Sequence, residues 1–144
     1  MTEANTVSLL RECDAGVQMG VSAIDEVLDE VHAPGLRSCL VECRNKHNAL
    51  GKEIEQRLTE HGYDSKEPSP LAKGMAWAKT NMKLAMDDSD RTIADLMTDG
   101  CNMGIKSLTR CLNQYSDAEE SAKDIARRLI ALEQLLEADL HPYL

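Results

Sequence analysis

Apolar positions recur at spacings of three and four through four long stretches of the chain, the period of an amphipathic helix. At about 100° of rotation per residue, Leu10, Val17, Val21, Ile24, Leu28 and Val31 share one face of a first helix over 7–31. "HAPGL" ends it, because Pro34 and Gly35 are strong helix punctuation. A second helix over about 36–61 turns Leu36, Leu40, Cys43, His47, Leu50, Ile54 and Leu58 inward, with Cys39 at the edge of that stripe. Glu42, Asn45, Lys52 and Gln56 fall on its opposite side. "EHGYDSKEPSP" is the next break, and a shorter helix over 71–86 follows, with Met75, Ala78, Met82, Ala85 and Met86 on one face. "DDSD" offers N-cap residues and early negative charge for a third long helix starting near Asp90. Its stripe is Ile93, Met97, Gly100, Cys101, Gly104, Leu108, Cys111, Leu112 and Tyr115, while Asp95, Asp99, Asn102 and Lys106 face out. "QYSDAEES" breaks the chain again, and a last helix over about 117–140 turns Ile125, Leu129, Leu132, Leu136 and Leu140 inward. No stretch has the alternation of a strand, and there is no internal repeat.

Four helices of roughly six turns each, joined by two tight hairpins and one long connection, predict an all-α four-helix bundle. The helix over 71–86 spans roughly 24 Å at 1.5 Å per residue. That length can return the chain along the bundle, so that the second and third long helices run parallel. One such crossover is the ferritin-like arrangement. The 144 residues are one domain's worth, a single bundle over 1–144. With 42% hydrophobic residues the chain is globular. Having no Phe, one Trp and seven Met, beside abundant Leu, Ala and Glu, it favours helices over strands.

The stretch "SPLAKGMAWAKTNMKLAMDDSDRTIADLMTDG", continuing into the last helix, resembles a bacterial family of ferritin-like bundles of about this length, a domain of unknown function. Its recurring elements are a Gly- and Trp-containing short helix, a Lys followed by Leu-Ala-Met, an acidic turn, and then "TIADLMTDG". The resemblance covers most of the chain. It implies the ferritin-like fold and assigns no activity.

Ferritin-like di-iron proteins place one Glu on each of two helices and Glu-x-x-His on each of the other two, so that carboxylate and imidazole reach one iron pair. The chain contains no Glu-x-x-His; Asp29-x-x-His32 is the nearest match and lies beside Pro34 at the end of the first helix. Asp95 and Asp99 point away from the core. An intact di-iron oxidase or iron store is therefore not expected.

The net charge of −9 leaves no basic face for nucleic acid or an anionic membrane. No apolar run has the length of a membrane span, and "MTEANTVSLLRECDAG" lacks the apolar core of a secretory signal. Five cysteines without a paired framework suit a reducing cytoplasm. No nucleophile elbow, phosphate-binding loop, His-Glu-x-x-His or dinucleotide fingerprint occurs.

Candidate chemistry gathers at one height of the bundle. With the ferritin-like topology, His47 lies level with Val21 and within about a turn of Asp25. It is also level with Cys101, and Glu133 reaches the same height. Asp25, Cys43, His47, Cys101 and Glu133 thus form a candidate metal layer. Thiolates and a neutral imidazole at about 2.0–2.3 Å suit Zn²⁺ or another transition metal better than Mg²⁺ or Ca²⁺. The plainer alternative is that "CLVECRNKH" is a packing stripe, its buried cysteines behaving as small hydrophobes and His47 bonded to a carbonyl or carboxylate. Gly100 and Gly104 either let a neighbouring helix approach closely or leave room for a ligand. Trp77 and Leu84 lie off the main face of their helix and either cover the bundle edge or form a homodimer contact. The chain is thus expected to be a cytoplasmic, non-enzymatic bundle acting by binding or self-association. The alternative is a Zn-, Cu- or Fe-binding bundle.

Overall fold

The computed structural model describes residues 2–63 and 89–144. Helix α1 spans Thr2–Val27 and runs into a 3₁₀ turn at Leu28–Glu30. Helix α2 spans Pro34–Glu60, α3 Asp90–Gln114 and α4 Glu120–Leu140, and a last 3₁₀ turn covers His141–Tyr143. The described residues contain no strand. The short helix expected over 71–86, with Trp77 and Leu84, lies outside the described residues.

The helix ends follow from local chemistry. Pro34 occupies the first turn of α2, where its missing N–H goes unused. At the other end, Gly62 takes φ +80, and Tyr63 N–H and Gly62 N–H reach back to Leu58 O and Thr59 O, both at 2.9 Å. That is the glycine-ended closure of a helix, which needs left-handed backbone. Ser89 caps α3 by accepting from Thr92 N–H at 3.2 Å. Helix α4 begins three residues later than the sequence pattern suggests. Asp117 instead meets the side chain of Asn5, and Glu119 N–H donates to Thr6 Oγ1 at 2.8 Å, so this turn is tied to α1.

Two long-range contacts set the topology. Asp90, at the start of α3, accepts from His32 N–H at 2.9 Å and Ala33 N–H at 2.8 Å, so α2 and α3 begin at the same end. The Thr6–Glu119 bond places the start of α4 beside the start of α1. The helices therefore run up, down, down, up, which is the ferritin-like order. Helix α1 packs on the other three, α4 also packs on α2 and α3, and α2 and α3 lie diagonally opposite.

The apolar core divides in two. One cluster gathers Leu9, Leu10, Val17, Leu50, Ile54, Leu108, Ile125 and Leu129 towards the start of α1. The other gathers Ile24, Leu36, Leu40, Cys43, Met97, Cys101, Leu136 and Leu140 towards its end. Along every helix the division falls at the same height: between Val17 and Ile24, Cys43 and Leu50, Cys101 and Leu108, Leu129 and Leu136.

Candidate functional site

The gap between the two clusters is filled by one residue from each helix: Gly20 of α1, His47 of α2, Gly104 of α3 and Glu133 of α4. His47 is 1% exposed, and with Thr6 it is one of two buried polar residues among those described. A buried polar group must find partners or lose about 1–3 kcal/mol. His47 finds two. Its Nδ1 lies 2.8 Å from Cys43 O, four residues back on its own helix. Its Nε2 lies 2.8 Å from Glu133 Oε1, across the bundle on α4.

This geometry fixes the protons. A backbone carbonyl only accepts, so Nδ1 carries a hydrogen. A second proton must lie between Nε2 and the Glu133 carboxylate. Burial alone would lower the basicity of His47; the contacts with the Cys43 thiol, 3.4 Å from Nδ1, and with the Glu133 carboxylate outweigh it and raise the pKa above the ordinary imidazole value. His47 is thus an imidazolium facing a carboxylate, an ion pair with side chains 1% and 12% exposed. Cys101 lies near the same carboxylate, and burial followed by the charge of Glu133 drives that thiol's pKa far up.

Gly20 makes room for the pair, and Gly104 lies against it with space to spare. A Cβ on Gly20 would lie 3.0 Å from His47 Cδ2 and 3.1 Å from its Nε2. A Cβ on Gly104 would lie 3.5 Å from Glu133 Oε2. Two helices thus contribute no side chain where the other two contribute large polar ones.

The expected five-residue layer is therefore partly redrawn. His47, Glu133 and Cys101 come together. Cys43 sits one turn towards the second apolar cluster, with Sγ 3.4 Å from His47 Nδ1, so it faces the nitrogen opposite Glu133. One metal ion cannot take Nε2 with Glu133 and Nδ1 with Cys43. Asp25 departs altogether: it is half-exposed at 52% and pairs with Arg44 at 2.8 Å on the surface, where both charges stay hydrated. Gly100 also turns out to be exposed with open space beside it, because the buried stripe of α3 is confined to Ile93, Ala94, Met97, Cys101 and Leu108. The apolar periodicity hides Gly20 from the layer, since Gly16 and Gly20 sit off the stripe of α1. The signal was a small residue level with an inward histidine.

An iron pair of the ferritin-like kind does not fit these residues. It would need carboxylates from all four helices and two imidazoles, whereas this layer supplies one of each and both nitrogens of that imidazole are engaged. Among the described residues no group of three or more His, Cys, Asp or Glu is placed to hold a metal ion. Nor is any described helix long and apolar enough to cross a membrane.

No protein-family model matches the sequence. No curated protein sequence matches it either. The fold is similar to that of a dodecameric thioferritin, the bacterioferritin-related protein from Bacteroides fragilis. The TM-score is 0.69 at 14% identity, over 99% of this chain and 86% of that one. At that identity the likeness establishes the shared ferritin-like fold.

Proposed function

We propose that the chain is a self-associating ferritin-like subunit that acts by binding and not by catalysis, with a hydrogen-bonded polar layer where iron-binding relatives of the fold carry their carboxylates. The observation that carries this reading is the commitment of both His47 nitrogens, each at 2.8 Å from its acceptor. A histidine held in this way fixes how α2 meets α4. Buried polar residues can specify register in this manner, as a lone core asparagine does in coiled coils.

Self-association draws support from the Bacteroides fragilis protein of like fold, which is a dodecamer. Met103 and Leu135, exposed at 43% and 48%, leave apolar surface for a contact. Trp77 and Leu84 are further interface candidates. The reading places the protein in the cytoplasm and agrees with the ferritin-like family of unknown function that the sequence resembles. Light scattering coupled to size exclusion tests it. The expected mass is a whole multiple of 15.9 kDa that falls in a Trp77→Ala/Leu84→Ala variant. A single-chain mass at tens of micromolar would overturn it.

A second reading, a Zn, Cu or Fe ion in the layer, has one observation in its favour: Glu133 bonds to His47 and lies near Cys101, which feels its charge. Elemental analysis of untagged protein purified without chelator, beside a His47→Ala variant, separates the two. Near-stoichiometric metal that drops in the variant supports the second reading. Metal-free protein in both supports the first.

A further inference from the structure

We infer that Cys39 and Cys43 form a two-coordinate site for a soft d¹⁰ monovalent cation, Cu(I) in chemical class, in the groove between α2 and α4. Both cysteines line that groove with Leu132 and Leu136, and Asp139 stands at its rim. Cys39 is half-buried and open to the groove, whereas Cys43 is 6% exposed and lies deeper. Burial, then the charge of Asp139, then that of Cys43 raises the pKa of the Cys39 thiol.

Helix geometry decides what such a pair can do. Residues four apart on a helix have Cβ atoms about 5–6 Å from each other. A disulfide needs about 3.5–4.5 Å between Cβ atoms. The helix therefore holds the two cysteines too far apart to oxidise to each other, and both are free thiols. An ion between them is a different matter. Two metal–thiolate bonds of about 2.3 Å, the zinc–thiolate length, put the sulfurs up to about 4.6 Å apart in a straight line. Side chains rooted 5–6 Å apart on one face can reach that separation.

The donor set then selects the metal. Structural zinc sites want four ligands, and no third or fourth donor is placed beside this pair among the described residues. Two thiolates suit Cu(I), whose filled d shell is satisfied by two sulfurs in line; the carboxylates of Glu42 and Asp139, which also line the groove, are harder oxygen donors. Asp139 adds negative potential at the entrance, and Lys46, also on the lining, opposes it. Binding releases two thiol protons and leaves a complex of one net negative charge. His47 Nδ1–H, 3.4 Å from Cys43 Sγ, is the donor that faces this charge. Cys39 Sγ gives up its bond to Leu36 O, now at 3.2 Å, when it turns to the metal.

The test is an anaerobic titration of the reduced full-length chain with Cu(I) held by a colorimetric Cu(I) chelator. The expected result is withdrawal of one equivalent per chain, with ultraviolet thiolate-to-copper absorption. Cys39→Ser should weaken binding by more than the roughly 10–100-fold that loss of an outer-shell partner costs a metal site. Cys43→Ser should do the same, and Cys101→Ser should leave binding unchanged. Cys39 is half-buried, so its variant is expected to keep the fold by circular dichroism and decides the matter if Cys43→Ser does not fold. The inference is overturned if no copper is withdrawn, if Cys39→Ser binds like the parent, or if Cys101→Ser abolishes binding. Stoichiometric zinc that depends on Cys39 would overturn the two-coordinate assignment.

Discussion

The imidazole of His47 is satisfied only while Glu133 faces it. Glu133→Leu leaves Nε2 buried without an acceptor, and breaking a buried pair in this way typically costs about 3–5 kcal/mol. Here the loss should fall nearer 3, because His47 can shed its proton. Replacing both partners by leucine should recover at least half of that loss, since apolar residues of similar volume often replace a buried ion pair without penalty. Urea denaturation of the two single variants and the double variant forms the cycle that checks this. The glycines give a sharper contrast. Alanine is worth about 1 kcal/mol over glycine inside a helix. Gly100, with nothing within 4 Å of its Cβ direction, should yield that full gain as Gly100→Ala. Gly20→Ala should instead destabilise, because its Cβ would meet His47 Cδ2 at 3.0 Å and the ring is fixed at both nitrogens.

At the scale of elements, the weakest joints are those between helix ends, and Asp90 holds one of them. The N–H groups of His32, and then Ala33, hold its carboxyl below the ordinary aspartate range. A carboxylate with a depressed folded-state pKa adds stability above its unfolded value and loses it as pH falls through the folded one. Asp90→Ala should therefore lower stability by about 1 kcal/mol at neutral pH, the size of a lost helix cap. The gap between variant and parent should close as pH is taken below 3.8. Thermal melts of both proteins from pH 7 to pH 3 would show this, and a gap that does not narrow would refute it. The four long helices were legible in the sequence because their stripes are regular: Leu36, Leu40, Leu50, Ile54 and Leu58 are all buried as the period requires. Their ends were less so. The start of α4 is set by Thr6 and Asn5 of α1, a contact across 113 and 112 residues of sequence that no local pattern records.

For the whole molecule, the parallel course of α2 and α3 that the sequence reading expected is seen in Asp90 beside His32 and Ala33. Heights along the bundle were accordingly readable to within a turn, and His47, Cys101 and Glu133 do meet. What periodicity could not supply was direction at the edges of each stripe. Asp25 has Arg44 within reach at 2.8 Å on the surface. Glu133 has His47 inside. Both look alike in sequence, and which way each turns is decided by the neighbouring helix. The same holds for Gly20, which reads as a residue off the apolar face until the ring of His47 is set against it. The two apolar halves and the polar layer between them make a further expectation. Amide hydrogen exchange should be slowest at Leu40, Leu50, Leu129 and Leu136, which flank the layer, and should accelerate at those positions in Glu133→Leu more than at the helix ends.

The most direct measurement is the ¹⁵N spectrum of the His47 ring in the protein as purified without chelator, recorded across neutral pH. The imidazolium–carboxylate pair predicts both ring nitrogens protonated at pH 7 and still protonated above the ordinary imidazole value of 6.5, with the same signals after treatment with chelator. An unprotonated Nε2 at pH 7, or a signal that moves when chelator is added, would contradict the account. The polar layer would then have to be read as a metal site.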